Sequence, residues 1–95
     1  MTLLPGWYRH RALAVELKLE PISEEMEYGT IVRWHRREGD AVAAGEVIVE
    51  IEAEKVTQEV EAPVSGVLES ILAVEGDEIR VGATIAVIAE GGAAA

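Results

Sequence analysis

The sequence predicts a small all-β domain, a barrel or sandwich built from two similar halves. Apolar and polar residues alternate over several short segments, which is typical of half-buried strands. The apolar residues are Val, Ile, Leu and Ala, with no Phe, and small or β-branched side chains suit the interior of a small barrel. Residues 29–52 also match residues 66–89 at a constant offset of 37, which indicates one structural unit used twice.

Length and charge exclude several classes of protein. A chain of 95 residues is long enough for one domain with a modest core. The net charge of −10 argues against nucleic acid or an anionic membrane as partner. No apolar run approaches the length of a membrane span. There is no Cys, and the two histidines do not make a metal site, so we expect neither a disulfide nor a metal centre.

The first strand is expected over residues 14–20, where Val15, Leu17 and Leu19 alternate with charged residues. Pro21 ends it, because proline cannot donate to a sheet. Residues 21–29 then form an acidic surface loop, which is either simply solvated or a recognition loop. The segment Ser23-Glu24-Glu25-Met26 has a helix-capping pattern, but no apolar helical repeat follows it.

The two ends of the chain lack this alternation. Residues 1–12 are expected to be a disordered leader and residues 91–95 a flexible tail or the start of a linker. The folded domain is therefore predicted to span residues 13–90.

The internal repeat contains seven identical pairs. They include Glu-Gly-Asp at 38–40 and again at 75–77, each followed five residues after the Asp by a further glycine. Recurring glycines mark backbone turns with positive φ or close approach. The glycines assigned to structural turns are Gly29, Gly39, Gly45, Gly66, Gly76 and Gly82.

Lys55 lies between two alternating segments, residues 47–52 and 56–62, and so at the reversal of two antiparallel strands. Its counterpart in the second half would be Gly92, in the C-terminal tail. A quasi-two-fold axis therefore places Lys55 at the end of the domain opposite both chain termini.

The residue types around Lys55 favour a modified lysine over a catalytic one. A nucleophilic lysine needs burial or a cationic neighbour, whereas Glu52 and Glu54 are adjacent and favour the ammonium form. The other glutamates of these strands alternate with apolar residues and are expected to line a solvated face. Catalytic residues are therefore not predicted, and Lys55 is predicted to be acylated by another enzyme.

These residues together resemble the lipoyl domain of the acyltransferase components of 2-oxo acid dehydrogenases. The resemblance runs from about residue 14 to residue 89. It rests on Lys55 with Gly45 ten residues before it and on four segments: Gly29 to Trp34, Glu38-Gly39-Asp40, Ala62-Pro63-Val64-Ser65-Gly66 and Glu75-Gly76-Asp77.

The resemblance implies two four-stranded antiparallel sheets and lipoic acid attached to Lys55 as an amide. The implied partners are a lipoate ligase or lipoyl transferase, a thiamine-dependent 2-oxo acid decarboxylase, an acyltransferase core and dihydrolipoyl dehydrogenase. The domain would be a monomeric, non-catalytic carrier whose arm takes an acyl group from the decarboxylase to the core. The expected location is the bacterial cytoplasm, or the mitochondrial matrix in a eukaryote.

Glu54 and Val56 are the expected recognition residues beside the lysine, together with Glu24, Glu25 and Met26 of the preceding loop. The family usually has Asp where this chain has Glu54. Related biotin domains have Met on both sides of the lysine, so Glu54 and Val56 argue against biotin. A biotin carboxyl carrier and an unmodified adaptor barrel are the alternatives.

Overall fold

The structure, a computed structural model, describes residues 14–90. This part of the chain consists of β-strands and connecting turns, and it has no helix long and apolar enough to cross a membrane. The eight strands are β1 (Ala14–Lys18), β2 (Tyr28–Trp34), β3 (Ala41–Val42), β4 (Val47–Ala53), β5 (Val56–Glu61), β6 (Gly66–Ile71), β7 (Glu78–Arg80) and β8 (Thr84–Glu90).

The strands form two four-stranded sheets, with the orders β1-β8-β6-β3 and β5-β4-β2-β7. All neighbouring strands are antiparallel. The expected fold class is therefore confirmed, although the sheets form a sandwich and do not close into a continuous barrel. The predicted leader and tail lie outside the described residues, and the domain limits of 13 and 90 stay predictions.

The two halves of the sequence repeat form two similar sets of strands, which are related by an approximate two-fold axis. Strands β2, β3 and β4 correspond to β6, β7 and β8, and β5 corresponds to β1, so one sheet order maps onto the other strand by strand. The irregularities in strand pairing also correspond between the two halves. The pairing register shifts around Val32 in β2 and around Glu69 in β6, which are 37 residues apart. It shifts again around Ile48 and Ile85, which are also 37 apart.

The core lies between the sheets and repeats the same relationship. Among the most deeply buried side chains are three pairs related by the offset of 37: Ile31 and Leu68, Ile48 and Ile85, and Ile51 and Ile88. Burial of aliphatic side chains of this size supplies most of the stability, at about 1.5–3 kcal/mol each. Both halves contribute to one core, so neither half has a complete core without the other.

The Glu-Gly-Asp motif joins the two halves. The N–H of Gly39 donates to the carbonyl oxygen of Leu68, and the N–H of Gly76 donates to that of Ile31, each at 2.8 Å. The aspartate of each motif accepts from the backbone three residues before it, which closes a local turn. The motif was predicted as a strand-turn-strand unit. Its hydrogen bonds to the opposite half show that it also holds the two halves together.

The assignment of all six recurring glycines to turns is wrong for two of them. Gly39, Gly45, Gly76 and Gly82 have φ between +87° and +93° and do form turns. Gly29 and Gly66 lie within strands and are needed for close packing. A Cβ at position 29 would lie 2.8 Å from Cγ2 of Ile51, and one at position 66 would overlap the carbonyl oxygen of Ala89.

Two other expectations need correction. The first strand ends at Lys18, although Leu19 remains buried and hydrogen-bonded to Ala83. Residues 56–61 form a strand, but only Val60 is even partly buried there, and Val56 is 52% exposed. The physical reason is that β5 is an edge strand of its sheet and has a neighbouring strand on one side only.

Candidate functional site

Lys55 lies in a two-residue turn between β4 and β5. Ala53 pairs with Val56, which leaves Glu54 and Lys55 as the connection. Their φ angles are +53° and +68°, as in the type I′ turns that match the twist of antiparallel strands. We call residues 53–56 the lysine turn. The predicted strand reversal at Lys55 is confirmed.

The lysine turn and the ends of the described structure, Ala14 and Glu90, lie at opposite ends of the domain. Ala14 pairs with Ala89, so the first and last described strands meet at one end. Strand β1 runs away from that end, and Ser23, in the loop that follows β1, contacts Glu54. The lysine turn therefore lies at the end of the domain opposite Ala14 and Glu90, the first and last described residues.

The surroundings of Lys55 are open and acidic. A shallow cleft of about 370 Å³ beside it is lined by Tyr28, Thr30, Glu78 and residues 52–55. Within residues 14–90, Arg36 forms an ion pair with Glu46 and His35 is hydrogen-bonded to Glu50, and neither contact involves Lys55. The Lys55 side chain is exposed. It is thus accessible to a modifying enzyme, and its surroundings are unlike the buried or cationic ones that activate a lysine nucleophile.

The loop after β1 lies beside the lysine turn. The Ser23 hydroxyl donates a 2.8 Å hydrogen bond to Oε2 of Glu54. Glu24 and Glu25 are exposed on the same loop, but no hydrogen bond or ion pair joins them to the turn within the described structure. Ser23 was not among the expected recognition residues. Its only distinguishing feature in the sequence is its place at the start of the capping-like pattern.

Met26 does not have the predicted recognition role on the surface. It is 7% exposed and belongs to the core, and its Sδ accepts a hydrogen bond from the N–H of Ile22 at 3.3 Å. A residue this buried cannot present its side chain to a partner. It attaches the loop to the core, because an apolar side chain gains more from burial than from exposure.

Other expected site residues lie where the sequence placed them. Glu54 and Val56 flank Lys55 and are exposed, so both are available for contact. Tyr28 and Glu78 were not predicted, yet both line the cleft beside Lys55. Strands β2 and β7 pair directly, with Thr30 opposite Glu78. Pairing of residues so far apart in sequence cannot be found from local alternation.

A family model described as "Biotin-requiring enzyme", for biotin and lipoyl domains, matches residues 15–88. The chain belongs to this family. Its relatives include the dihydrolipoyllysine-residue succinyltransferase component of the 2-oxoglutarate dehydrogenase complex of Staphylococcus saprophyticus. It is 46% identical over 76 residues, which are 80% of this chain and 18% of that protein. The dihydrolipoyllysine-residue acetyltransferase component of the pyruvate dehydrogenase complex of Zymomonas mobilis is 43% identical over 81 residues, covering 84% of this chain and 18% of that protein.

A third relative is not named as an acyltransferase component. The pyruvate dehydrogenase E1 component subunit beta of Rhizobium meliloti is 42% identical over 84 residues, covering 87% of this chain and 18% of that protein. The chain thus spans less than a fifth of the length of each of these three relatives.

Two solved structures have the same fold. The lipoyl domain of the 2-oxoglutarate dehydrogenase complex from Azotobacter vinelandii superimposes with a TM-score of 0.69 at 36% identity, over 80% of this chain and 96% of that one. The urea carboxylase of Kluyveromyces lactis gives 0.68 at 33% identity, over 79% of this chain and 6% of that one. The resemblance to lipoyl domains of 2-oxo acid dehydrogenase acyltransferases is confirmed.

Proposed function

We propose that Lys55 carries lipoic acid and that the domain is a non-catalytic acyl carrier of a 2-oxo acid dehydrogenase complex. The observation that carries this proposal is the position of Lys55 in the two-residue turn, where it is exposed and lies opposite the end at which Ala14 pairs with Ala89. Relatives named as dihydrolipoyllysine acyltransferase components support lipoate as the attached group.

The residues present fit an amide-linked lipoyl group. Within the described structure Lys55 has no ion-pair partner that must be displaced before acylation. When bound, lipoic acid supplies a dithiolane that accepts acyl groups and electrons. The protein would hold the lysine clear of the sheets and leave the chemistry to its partners. Within residues 14–90 no group of three or more His, Asp or Glu side chains is arranged to hold a metal ion.

The proposed partners follow from the carrier role. A lipoate ligase or lipoyl transferase would modify Lys55, and a thiamine-dependent 2-oxo acid decarboxylase would load the arm. An acyltransferase core and dihydrolipoyl dehydrogenase would then unload and reoxidise it. A tether raises the effective concentration at each station to about mM for short flexible linkers, so tight binding by the domain is unnecessary. The proposed location is the cytoplasm of a bacterium or the mitochondrial matrix of a eukaryote.

The polypeptide that carries the domain is a separate question. Similar stretches occur in acyltransferase components and also in a protein named as the pyruvate dehydrogenase E1 component subunit beta. We propose an acyltransferase component, because the succinyltransferase and acetyltransferase relatives are 46% and 43% identical and the E1 beta subunit is 42% identical.

Biotin is the second candidate for the attached group. The match to a family described as biotin-requiring and the superposition on urea carboxylase favour it. Glu54 and Val56 stand where biotin domains have Met, and both side chains are exposed beside the lysine. A ligase that approaches the lysine turn would meet a carboxylate there, which favours lipoylation over biotinylation.

The number of lysines allows a decisive test. The chain contains only Lys18 and Lys55, and Lys18 is an exposed residue of β1. Intact mass is measured after incubation with a lipoate ligase, ATP and lipoate, and in parallel with a biotin ligase, ATP and biotin. We expect one lipoyl increment in the parent and in Lys18→Arg, and none in Lys55→Arg. An increment from biotin alone would establish the second candidate, and no increment from either would favour an unmodified adaptor.

A further inference from the structure

The lysine turn adopts a backbone conformation that its residues do not favour. Both Glu54 and Lys55 have positive φ, a region where non-glycine residues are uncommon because Cβ approaches the carbonyl oxygen. Type I′ turns usually contain Asn-Gly or Gly-Gly for this reason. Something outside the turn must therefore contribute to its conformation, since strained residues persist only where their surroundings hold them.

The loop after β1 supplies such a contact, and the loop itself is fixed to the core. The N–H of Met26 donates to the carbonyl oxygen of Ser23 at 3.2 Å. The N–H of Ile22 donates to the buried Met26 Sδ. These bonds fold residues 22–26 around a core side chain. The Ser23 hydroxyl is thereby placed 2.8 Å from the Glu54 carboxylate.

We propose that Ser23 is a positioning residue for the attachment lysine: its hydrogen bond to Glu54 holds the lysine turn in the conformation that a lipoate ligase accepts. The contact also accounts for glutamate at position 54. An aspartate there is one methylene shorter, so its carboxylate would lie farther from Ser23 at the same backbone position. Ser23 and Glu54 thus act as a pair, and the proposal rests on the lipoyl function of Lys55.

Loss of the Ser23 hydroxyl is expected to lower the fraction of molecules in which the lysine turn has its observed conformation. It is not expected to prevent acylation of Lys55. If only a fraction of molecules holds the turn correctly, the apparent affinity of the ligase falls by that fraction. One exposed hydrogen bond to a charged group corresponds to about a threefold to tenfold change in such an equilibrium. Loss of the Ser23 hydroxyl is therefore expected to raise the KM of the ligase for this domain by at most that factor and to leave kcat unchanged.

The test compares Ser23→Ala with Ser23→Thr, which keeps a hydroxyl, in the full 95-residue chain. Thr84→Ala is the matched control, since Thr84 Oγ1 donates to Glu16 at 2.7 Å in the other sheet. Two quantities are measured: KM and kcat for lipoylation, and the intraresidue amide–Hα NOEs of Glu54 and Lys55, which are strong only at positive φ. The NOEs require no lipoylation.

We expect Ser23→Ala to weaken both NOEs and raise KM, and we expect Ser23→Thr and Thr84→Ala to match the parent. In a Glu54→Ala background, Ser23→Ala should have no further effect on the NOE of Lys55. Unchanged NOEs in Ser23→Ala overturn the proposal, as does an unchanged KM where the NOEs weaken. If the parent is not lipoylated at all, the proposed function fails, while the NOEs still decide whether Ser23 holds the turn.

Discussion

The carboxylate of Glu38 accepts a 2.8 Å hydrogen bond from the backbone N–H of Ile71, which lies in the other half of the repeat. The same relationship occurs in reverse, where Glu75 accepts from the N–H of Trp34 at 3.2 Å. Each Glu-Gly-Asp motif therefore extends from its own turn to the end of a strand in the opposite half. The two motifs bind the halves to one another as well as forming turns.

Removal of the Glu38 carboxylate is expected to destabilise the domain. Glu38→Ala removes the acceptor of the Ile71 N–H, and loss of one exposed hydrogen bond of this kind costs about 0.5–1.5 kcal/mol. Glu38→Gln keeps an acceptor oxygen and should lose less than half as much. The free energy of unfolding in urea is the measurement. Glu69→Ala is the control, since Glu69 is an exposed residue of β6; a loss as large as that of Glu38→Ala would show that the hydrogen bond contributes nothing.

The sequence predicted much of this architecture because the repeat has no gap. An offset of 37 relates the motifs at 38–40 and 75–77, and it also relates the register shifts at Val32 and Glu69. The turn at Lys55 was predictable from two alternating segments with a short gap between them. These features are local, or are copies of local features, so one chain is enough to reveal them.

Other features depend on contacts between distant residues. The hydrogen bond of Ser23 to Glu54 joins residues 31 positions apart, and no periodicity links them. Met26 is buried because the loop folds back onto the core, and the local pattern of an acidic loop does not decide which of its side chains will be covered. Gly66 resembles a turn glycine in sequence, whereas its lack of a side chain is required by the backbone of a neighbouring strand.

The two strand glycines are expected to respond differently to an added methyl group. In Gly66→Ala the new Cβ would meet the backbone of Ala89, which cannot move without disrupting β8. In Gly29→Ala it would meet the side chains of Ile51, Leu19 and Met26, which can shift. We expect a loss of about 1–3 kcal/mol for Gly29→Ala, as for other overpacked cores, and a larger loss for Gly66→Ala. Thermal unfolding by circular dichroism measures both, and equal losses would contradict the assignment.

Glu46 is expected to contribute a pH-dependent part of the stability. The hydrogen bond from the N–H of Ala43 and that from Arg36 lower the pKa of Glu46 below its ordinary value of 4.5. A carboxyl whose pKa is lower in the folded state stabilises the fold above its unfolded pKa, and this contribution is lost as the pH falls through the folded pKa. Glu46→Gln has no such titration.

The parent should therefore be more stable than Glu46→Gln at pH 7, and the difference should shrink as the pH falls below about 4.5. Urea unfolding of both proteins between pH 7 and pH 3 measures this difference, in which the titrations of all other carboxyls largely cancel. A difference that is constant over this range would show that Glu46 has the same pKa in both states.

The conformation of the lysine turn predicts that Lys55 makes the domain less stable than a glycine at the same position would. Lys55 has φ of +68°, a region that glycine occupies without the steric penalty that other residues have. Lys55→Ala keeps that penalty and should change the free energy of unfolding by only about 0.5 kcal/mol, as at exposed sites generally. Lys55→Gly should be more stable than Lys55→Ala by about 1 kcal/mol, although it removes the proposed attachment point.

Lys18 provides the matched control for this prediction. It is an exposed lysine in β1 and is not among the residues with positive φ. Glycine in a strand is destabilising by about 0.5–1 kcal/mol relative to alanine, so Lys18→Gly should be less stable than Lys18→Ala. The glycine-minus-alanine difference should thus have opposite signs at the two lysines when measured by urea unfolding. The same sign at both positions would contradict a left-handed backbone at Lys55, and with it the strain that the contact between Ser23 and Glu54 is proposed to offset.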